Sequence, residues 1–203
     1  MPPFVALTGG LAAGKSTALA ILGRLGAATI STDALVHELY GSPAVRDAVV
    51  ARFGQQVAPG GVVDRAALAQ RIFSADAGAD RDWLERLLWP LVRQRVDEWR
   101  AAALAGRGSA PVALVVEVPL LFESGSEGIY DATIAVVADE QLRVARSGNR
   151  DHHRLAEREQ RQLAQADKAS RATYVVLNDG DLTELEAKLS EILVMLQRRW
   201  SQP

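Results

Sequence analysis

No cysteine occurs among the 203 residues, which excludes disulfides, thiolate catalysis and cysteine-ligated zinc. No apolar run approaches the length of a membrane span. Nor does a basic stretch, an apolar segment and a cleavage site precede the first strand-like residues, so a secretory signal is not expected. A strong charge of one sign is missing as well. The net charge is −2, which argues against non-specific nucleic-acid binding as the business of the whole chain. Neither nucleic acid nor a membrane is an expected partner, and the expected compartment is the cytoplasm. What remains is ordinary: 48% apolar and 24% charged residues, as in a soluble globular protein. The length suits one good-sized domain or a core with insertions.

Against this background one stretch stands out, Phe4-Val5-Ala6-Leu7-Thr8-Gly9-Gly10-Leu11-Ala12-Ala13-Gly14-Lys15-Ser16-Thr17. Four apolar residues lead into Gly9-x-x-x-x-Gly14-Lys15-Ser16, the spacing of a phosphate-binding P-loop. A buried strand delivers the chain to a turn, and glycines let successive N–H groups curl inward onto phosphate oxygens. The helix that follows adds the positive end of its dipole. The run Gly10, Leu11, Ala12, Ala13, Gly14, Lys15, Ser16 and Thr17 is therefore the expected ATP-binding stretch. In it Lys15 bridges the β- and γ-phosphates, Ser16 ligates Mg²⁺, and Thr17 donates to a phosphate oxygen.

Four further segments read as buried parallel strands, short and continuously apolar: Ala27 to Ser31, Val112 to Val118, Ala132 to Val137 and Tyr174 to Asn178. Such runs are typical of strands covered on both faces. Helical patterns separate them, predicting an α/β fold with a five-stranded parallel sheet flanked by helices. Gly26 suits the end of the first helix. Asp181-Leu182-Thr183-Glu184 opens the last, whose face of Leu185, Leu189, Ile192, Leu193, Leu196 and Trp200 is core.

Between the second and third strands lies a helical insertion, residues 33–107, with candidate helices Asp33–Tyr40, Ala44–Phe53, Arg65–Phe73 and Asp82–Leu104. Pro59-Gly60-Gly61 and Ser74–Asp80 read as breaks, and Ala101–Ala110 as a linker back to the sheet. Pro90 is expected to kink the longest helix. The core is then residues 1–32, 108–142 and 172–203. Residues 143–171 carry eight basic and four acidic side chains, +4 within a chain of −2. An arginine-rich helical segment after the fourth strand suits a lid over ATP, because the planar guanidinium fork binds phosphate oxygens bidentately. A basic patch for nucleic acid is the competing reading, and the absence of aromatics from the segment counts against it.

A P-loop alone says nucleotide, not reaction. Asn178-Asp179-Gly180-Asp181 lacks the lysine of a guanine-reading motif. A motor or transport ATPase would normally be larger. A small-molecule kinase remains, and the chain resembles the dephospho-coenzyme A kinases over nearly its whole length. The resemblance rests on Leu7-Thr8-Gly9-Gly10 with Gly14-Lys15-Ser16-Thr17, on Ile30-Ser31-Thr32-Asp33 followed by His37, and on Val63-Asp64-Arg65-Ala66-Ala67-Leu68 with Phe73. It continues through Leu87-Leu88-Trp89-Pro90-Leu91-Val92, Val118-Pro119-Leu120-Leu121-Phe122-Glu123-Ser124-Gly125, and Arg158-x-x-x-Gln162-x-x-x-x-x-Lys168 leading to Asn178.

The resemblance implies a P-loop kinase fold with a helical acceptor-binding insertion and a helical lid. It also implies transfer of the γ-phosphoryl group of ATP, with Mg²⁺, to the ribose 3′-hydroxyl of dephospho-coenzyme A. On that reading Asp33 orients the hydroxyl and accepts its proton, while Lys15 and Arg158 stabilise charge on the moving group. Thr8, Asp33, His37, Arg65, Pro119, Leu120 and Glu123 surround the acceptor, and Asn178 lies near the adenine. Asp64 is expected to cap the helix that presents Arg65. The chain departs from the family where Asp-Ala-Asp reads Ser31-Thr32-Asp33 and where Trp89 replaces the histidine before proline. Another small-metabolite or nucleoside kinase on the same scaffold is the alternative.

Overall fold

The computed structural model describes residues 1–72, 78–106, 109–147 and 162–200. Contacts divide the chain into two units, Met1–Ser31 with Arg100–Pro203, and Thr32–Trp99.

The first unit is built on five parallel strands in the order β2-β3-β1-β4-β5. They are β1 (Phe4–Gly9), β2 (Ala28–Ser31), β3 (Leu114–Glu117), β4 (Ala132–Val137) and β5 (Tyr174–Leu177). All residues of β1 and β3 are buried, which explains why they read as unbroken apolar runs. β4 matches its apolar segment, β2 and β5 are each one residue shorter than theirs, β3 is three shorter, and β1 runs beyond its apolar residues to Gly9. Alternation sorts their side chains. Val5, Leu7, Val115, Ile134, Val136 and Val176 pack with Ile21 and Leu22 of α1 (Lys15–Arg24). The same cluster takes in Leu185, Leu189, Ile192, Leu193 and Leu196 of the last helix, Leu182–Trp200, which is the core face expected from its periodicity. Ala6 points the other way, onto Leu121 and Phe122.

The ends of the helices follow their sequence signals. Ala27 N–H reaches Leu22 O (3.0 Å) and Gly26 N–H reaches Gly23 O (3.1 Å), a Schellman closure of α1. At the last helix Asp181 accepts from Glu184 N (2.9 Å). Because β1 lies between β3 and β4, its C-terminal end is where the order reverses, the place open α/β sheets reserve for ligands.

The second unit comprises α2 (Thr32–Tyr40), α3 (Pro43–Phe53), α4 (Arg65–Ile72) and most of α5 (Gly78–Ala105). It has its own core of Leu39, Val45, Val49, Phe53, Val57, Val63, Leu68, Leu84 and Leu88. Pro59–Gly61 forms a short 3₁₀ turn, as its composition suggests. Two expectations need correction. Helix α5 already includes Gly78–Asp80, taken from the sequence as part of a break, while residues 73–77 lie outside the described residues. At the other end it continues to Ala105, so the linker placed at Ala101–Ala110 is helical over its first half. Alanine is the best helix former, and a helix already under way propagates through it. The same helix runs through Pro90. Among the described residues no helix is long and apolar enough to cross a membrane.

After β4 come α6 (Glu140–Ser147) and α7 (Gln165–Arg171); we number the final helix, Leu182–Trp200, α8. The central part of the arginine-rich segment, residues 148–161, lies outside the described residues, and Arg158 with it.

Candidate active site

The phosphate loop joins β1 to α1 and takes its shape from what packs on it. Gly14 sits at the α1 N-cap with φ 98° and provides no side-chain cap, and no acidic residue occupies the first turn. The first N–H groups of α1 are thus left for an anion rather than for a side chain of the chain itself. Lys15 folds back so that its ammonium donates to Gly9 O (3.1 Å) and Gly10 O (2.9 Å). Ser16 and Thr17 are exposed at the start of α1, and the Ser16 hydroxyl makes no hydrogen bond with any described residue.

Two amide side chains hold this loop from behind. Asn178, buried just beyond β5, donates to Ala13 O (2.8 Å). Its amide also occupies the space a Cβ at Gly14 would need. Position 14 therefore requires glycine twice, for its left-handed backbone and for Asn178. On the other flank a Cβ at Gly10 would come 2.8 Å from Cγ of Gln165, the first residue of α7. Gln165 itself is fixed by a two-way pairing, donating to Ala138 O (2.9 Å) and accepting from Ala138 N (3.1 Å). Asn178 is also the residue expected near the adenine; its side-chain amide donates to the loop, and its backbone carbonyl accepts from Arg146 (2.9 Å).

The turn after β3 forms a second cluster. Thr8 is fully buried and donates to Pro119 O at 3.4 Å. Lys168 of α7, also fully buried, donates to the same carbonyl (2.7 Å) and pairs with Glu123 (2.9 Å). Glu123 accepts from Leu163 N as well (2.7 Å). Burial lowers the Lys168 pKa, and its hydrogen bond and ion pair with Glu123 oppose that shift. Pro119 and Leu120 are half-buried beside this cluster. Arg171, counted with the basic segment, is engaged by Glu127 and lies over the Phe122 ring at 4.7 Å.

In the second unit, Asp33, His37 and Tyr40 fall at i, i+4 and i+7 of α2, on one helix face. Asp33 is exposed in the first turn, where the helix dipole favours a carboxylate. Its carboxylate makes no hydrogen bond with any described residue. Arg65 reaches His37 Nδ1 at 3.4 Å from the start of α4. Asp64 caps α4 as expected, accepting from Ala66 N (2.8 Å) and Ala67 N (3.2 Å). Tyr40, which no sequence motif marks, lies on the same face one turn on, within the field of Arg65. Burial raises its phenol pKa and the Arg65 charge opposes the rise, so it remains a neutral hydrogen-bond donor. Its spacing of three from His37 was the available signal. Among the described residues no group of three acidic or histidine side chains could hold a metal ion.

Comparison with known proteins bears on what this geometry does. The dephospho-CoA kinase family model matches residues 3–184. A dephospho-CoA kinase of Moorella thermoacetica is 42% identical, covering 96% of this chain and 92% of its own length. One from Geobacter sulfurreducens is 40% identical over 93% of this chain and 95% of its own. The crystal structure of TT1252 from Thermus thermophilus superposes with a TM-score of 0.71 at 31% identity, covering 96% of this chain and 98% of that one. A shikimate kinase from Acinetobacter baumannii, at 12% identity and TM-score 0.53 over 98% of this chain and 95% of its own, shares the fold.

Proposed function

The chain belongs to the dephospho-CoA kinase family and phosphorylates dephospho-coenzyme A with ATP, and we propose how its residues divide that work. The γ-phosphoryl group passes to the ribose 3′-hydroxyl. The hydroxyl oxygen bonds to the γ-phosphorus, the bond from phosphorus to the ADP oxygen breaks, and the hydroxyl proton passes to the Asp33 carboxylate. An exposed, unbonded carboxylate in the first turn of α2 supports that role.

The run Gly10–Thr17 cradles the phosphates with backbone N–H groups at the uncapped start of α1. Lys15 exchanges the carbonyls of Gly9 and Gly10 for β- and γ-oxygens, so its charge is paired before and after binding. Arg158 adds charge to the transferring group from the basic segment. Family kinases use a divalent ion with ATP, and Mg²⁺ fits here: the exposed Ser16 hydroxyl is a hard oxygen donor, with nucleotide phosphates and water completing an oxygen set. Bound there, Mg²⁺ would supply charge neutralisation at the phosphates, and Ser16 is the residue that would hold it.

For the acceptor, His37, Tyr40 and Arg65 offer polar contacts from α2 and α4, and the Pro119–Glu123 turn, braced by the buried Thr8 through Pro119 O, offers them from the sheet. Asn178 braces the phosphate loop through Ala13 O and lies on the adenine side of the nucleotide. Its need for ATP makes the cytoplasm the expected place of action. The observation that carries this reading is the family match across residues 3–184, spanning loop, α2 carboxylate and turn. The test is turnover with ATP–Mg²⁺ on a panel of acceptors. Dephospho-coenzyme A should be phosphorylated on its ribose; turnover confined to a nucleoside monophosphate or shikimate would overturn the assignment.

A further inference from the structure

Helix α7 has only seven residues, Gln165–Arg171, yet two of its side chains fasten the two loops that the reaction needs. Gln165 is locked by its paired bonds to Ala138 and lies against Gly10 of the phosphate loop. Lys168, three residues on and so on the same helix face, is fully buried. A buried ammonium is costly unless it is fully paired, and an apolar residue would fill the space with less penalty. Lys168 is paired in one direction, onto Pro119 O and Glu123. Thr8 donates to the same Pro119 carbonyl and runs directly into Gly9. One helix face thus touches the start of the phosphate loop and the turn after β3.

We propose that α7 is a strut setting the spacing between the phosphate loop and the acceptor turn, with Gln165 and Lys168 as positioning residues for nucleotide and acceptor respectively. The acceptor half rests on the assignment of the Pro119–Glu123 turn to dephospho-coenzyme A. The nucleotide half does not. Neither residue contacts reacting atoms; each acts through the loop it holds.

Two substitutions separate the halves. Gln165→Met keeps the chain length and removes both amide bonds, and should weaken equilibrium ATP binding about tenfold while leaving the KM for dephospho-coenzyme A within about twofold. Lys168→Met should do the reverse, raising that KM about tenfold with ATP affinity within about twofold. If Lys168→Met does not accumulate as folded protein, Lys168→Met with Glu123→Gln, compared with Glu123→Gln alone, gives the same readout. A purely structural role lowers the active fraction, and with it kcat, without splitting the two affinities. That outcome, or equal shifts in both affinities from each substitution, overturns the strut. Wild-type turnover is measured first. Failure there with dephospho-coenzyme A removes the acceptor assignment, while ATP binding by Gln165→Met still decides the nucleotide half.

Discussion

Around Gly9–Thr17 the backbone rests on side chains drawn from far along the chain, whereas around Asp33, His37 and Arg65 the polar groups stand exposed on helix surfaces. Asn178 holds Ala13 across 165 positions of sequence, and Gln165 lies against Gly10. The Asp33 carboxylate, by contrast, makes no hydrogen bond with a described residue, and the Arg65–His37 contact is a long one at 3.4 Å. Each arrangement suits what it handles. Phosphate is recognised by fixed N–H groups, which are most effective when no reorganisation is needed. A hydroxyl to be deprotonated needs a carboxylate whose lone pairs are not already taken.

The contrast can be broken most severely at Gly14. Gly14→Ala should weaken ATP binding on the order of 10²-fold, since the new Cβ meets both a left-handed backbone and the Asn178 amide. Isothermal titration measures it, and an affinity within twofold of wild type would show that the loop is not held rigidly. Next, Arg65→Ala should raise the KM for dephospho-coenzyme A about tenfold with ATP affinity unchanged, through loss of a charged donor. A change in ATP affinity instead would take Arg65 off the acceptor side. Asp64→Ala, which removes two bonds from the start of α4, should cost about 1 kcal/mol of stability. Chemical denaturation reads it, and no loss would mean the cap is dispensable.

The smallest effect concerns Lys168. Its folded pKa lies below the ordinary 10.5 because of burial, so just below that pH the unfolded chain binds more protons than the folded one. The stability contributed by this group therefore rises with pH in that window. The gap in unfolding free energy between wild type and Lys168→Met should shift in favour of wild type from neutral pH to about pH 10. A shift the other way would mean that the bond to Glu123, not desolvation, governs this lysine.

Much of this was legible in the sequence. Gly9-x-x-x-x-Gly14-Lys15-Ser16 gives the loop because its chemistry is local, and β4 is read to the residue because a continuous apolar run has few alternatives. Asp64 was legible as a cap for the same reason: it bonds two and three residues away. Gln165 was not, because its partners are brought to it by the parallel pairing of β1 with β4 rather than by any local pattern. Lys168 stood within a matched motif, but a lysine reads as a solvated residue until topology buries it. The stretch Ala101–Ala105 was ambiguous in composition, and the helix preceding it decided the matter.

A firmly held nucleotide and an unbonded carboxylate divide the reaction between them. Asp33→Asn tests it most directly, with equilibrium ATP affinity and turnover on dephospho-coenzyme A measured on the same preparation. The expected result is ATP affinity within about twofold of wild type and turnover lower by about 10²-fold or more. Wild-type turnover, or a loss confined to ATP binding, would contradict it.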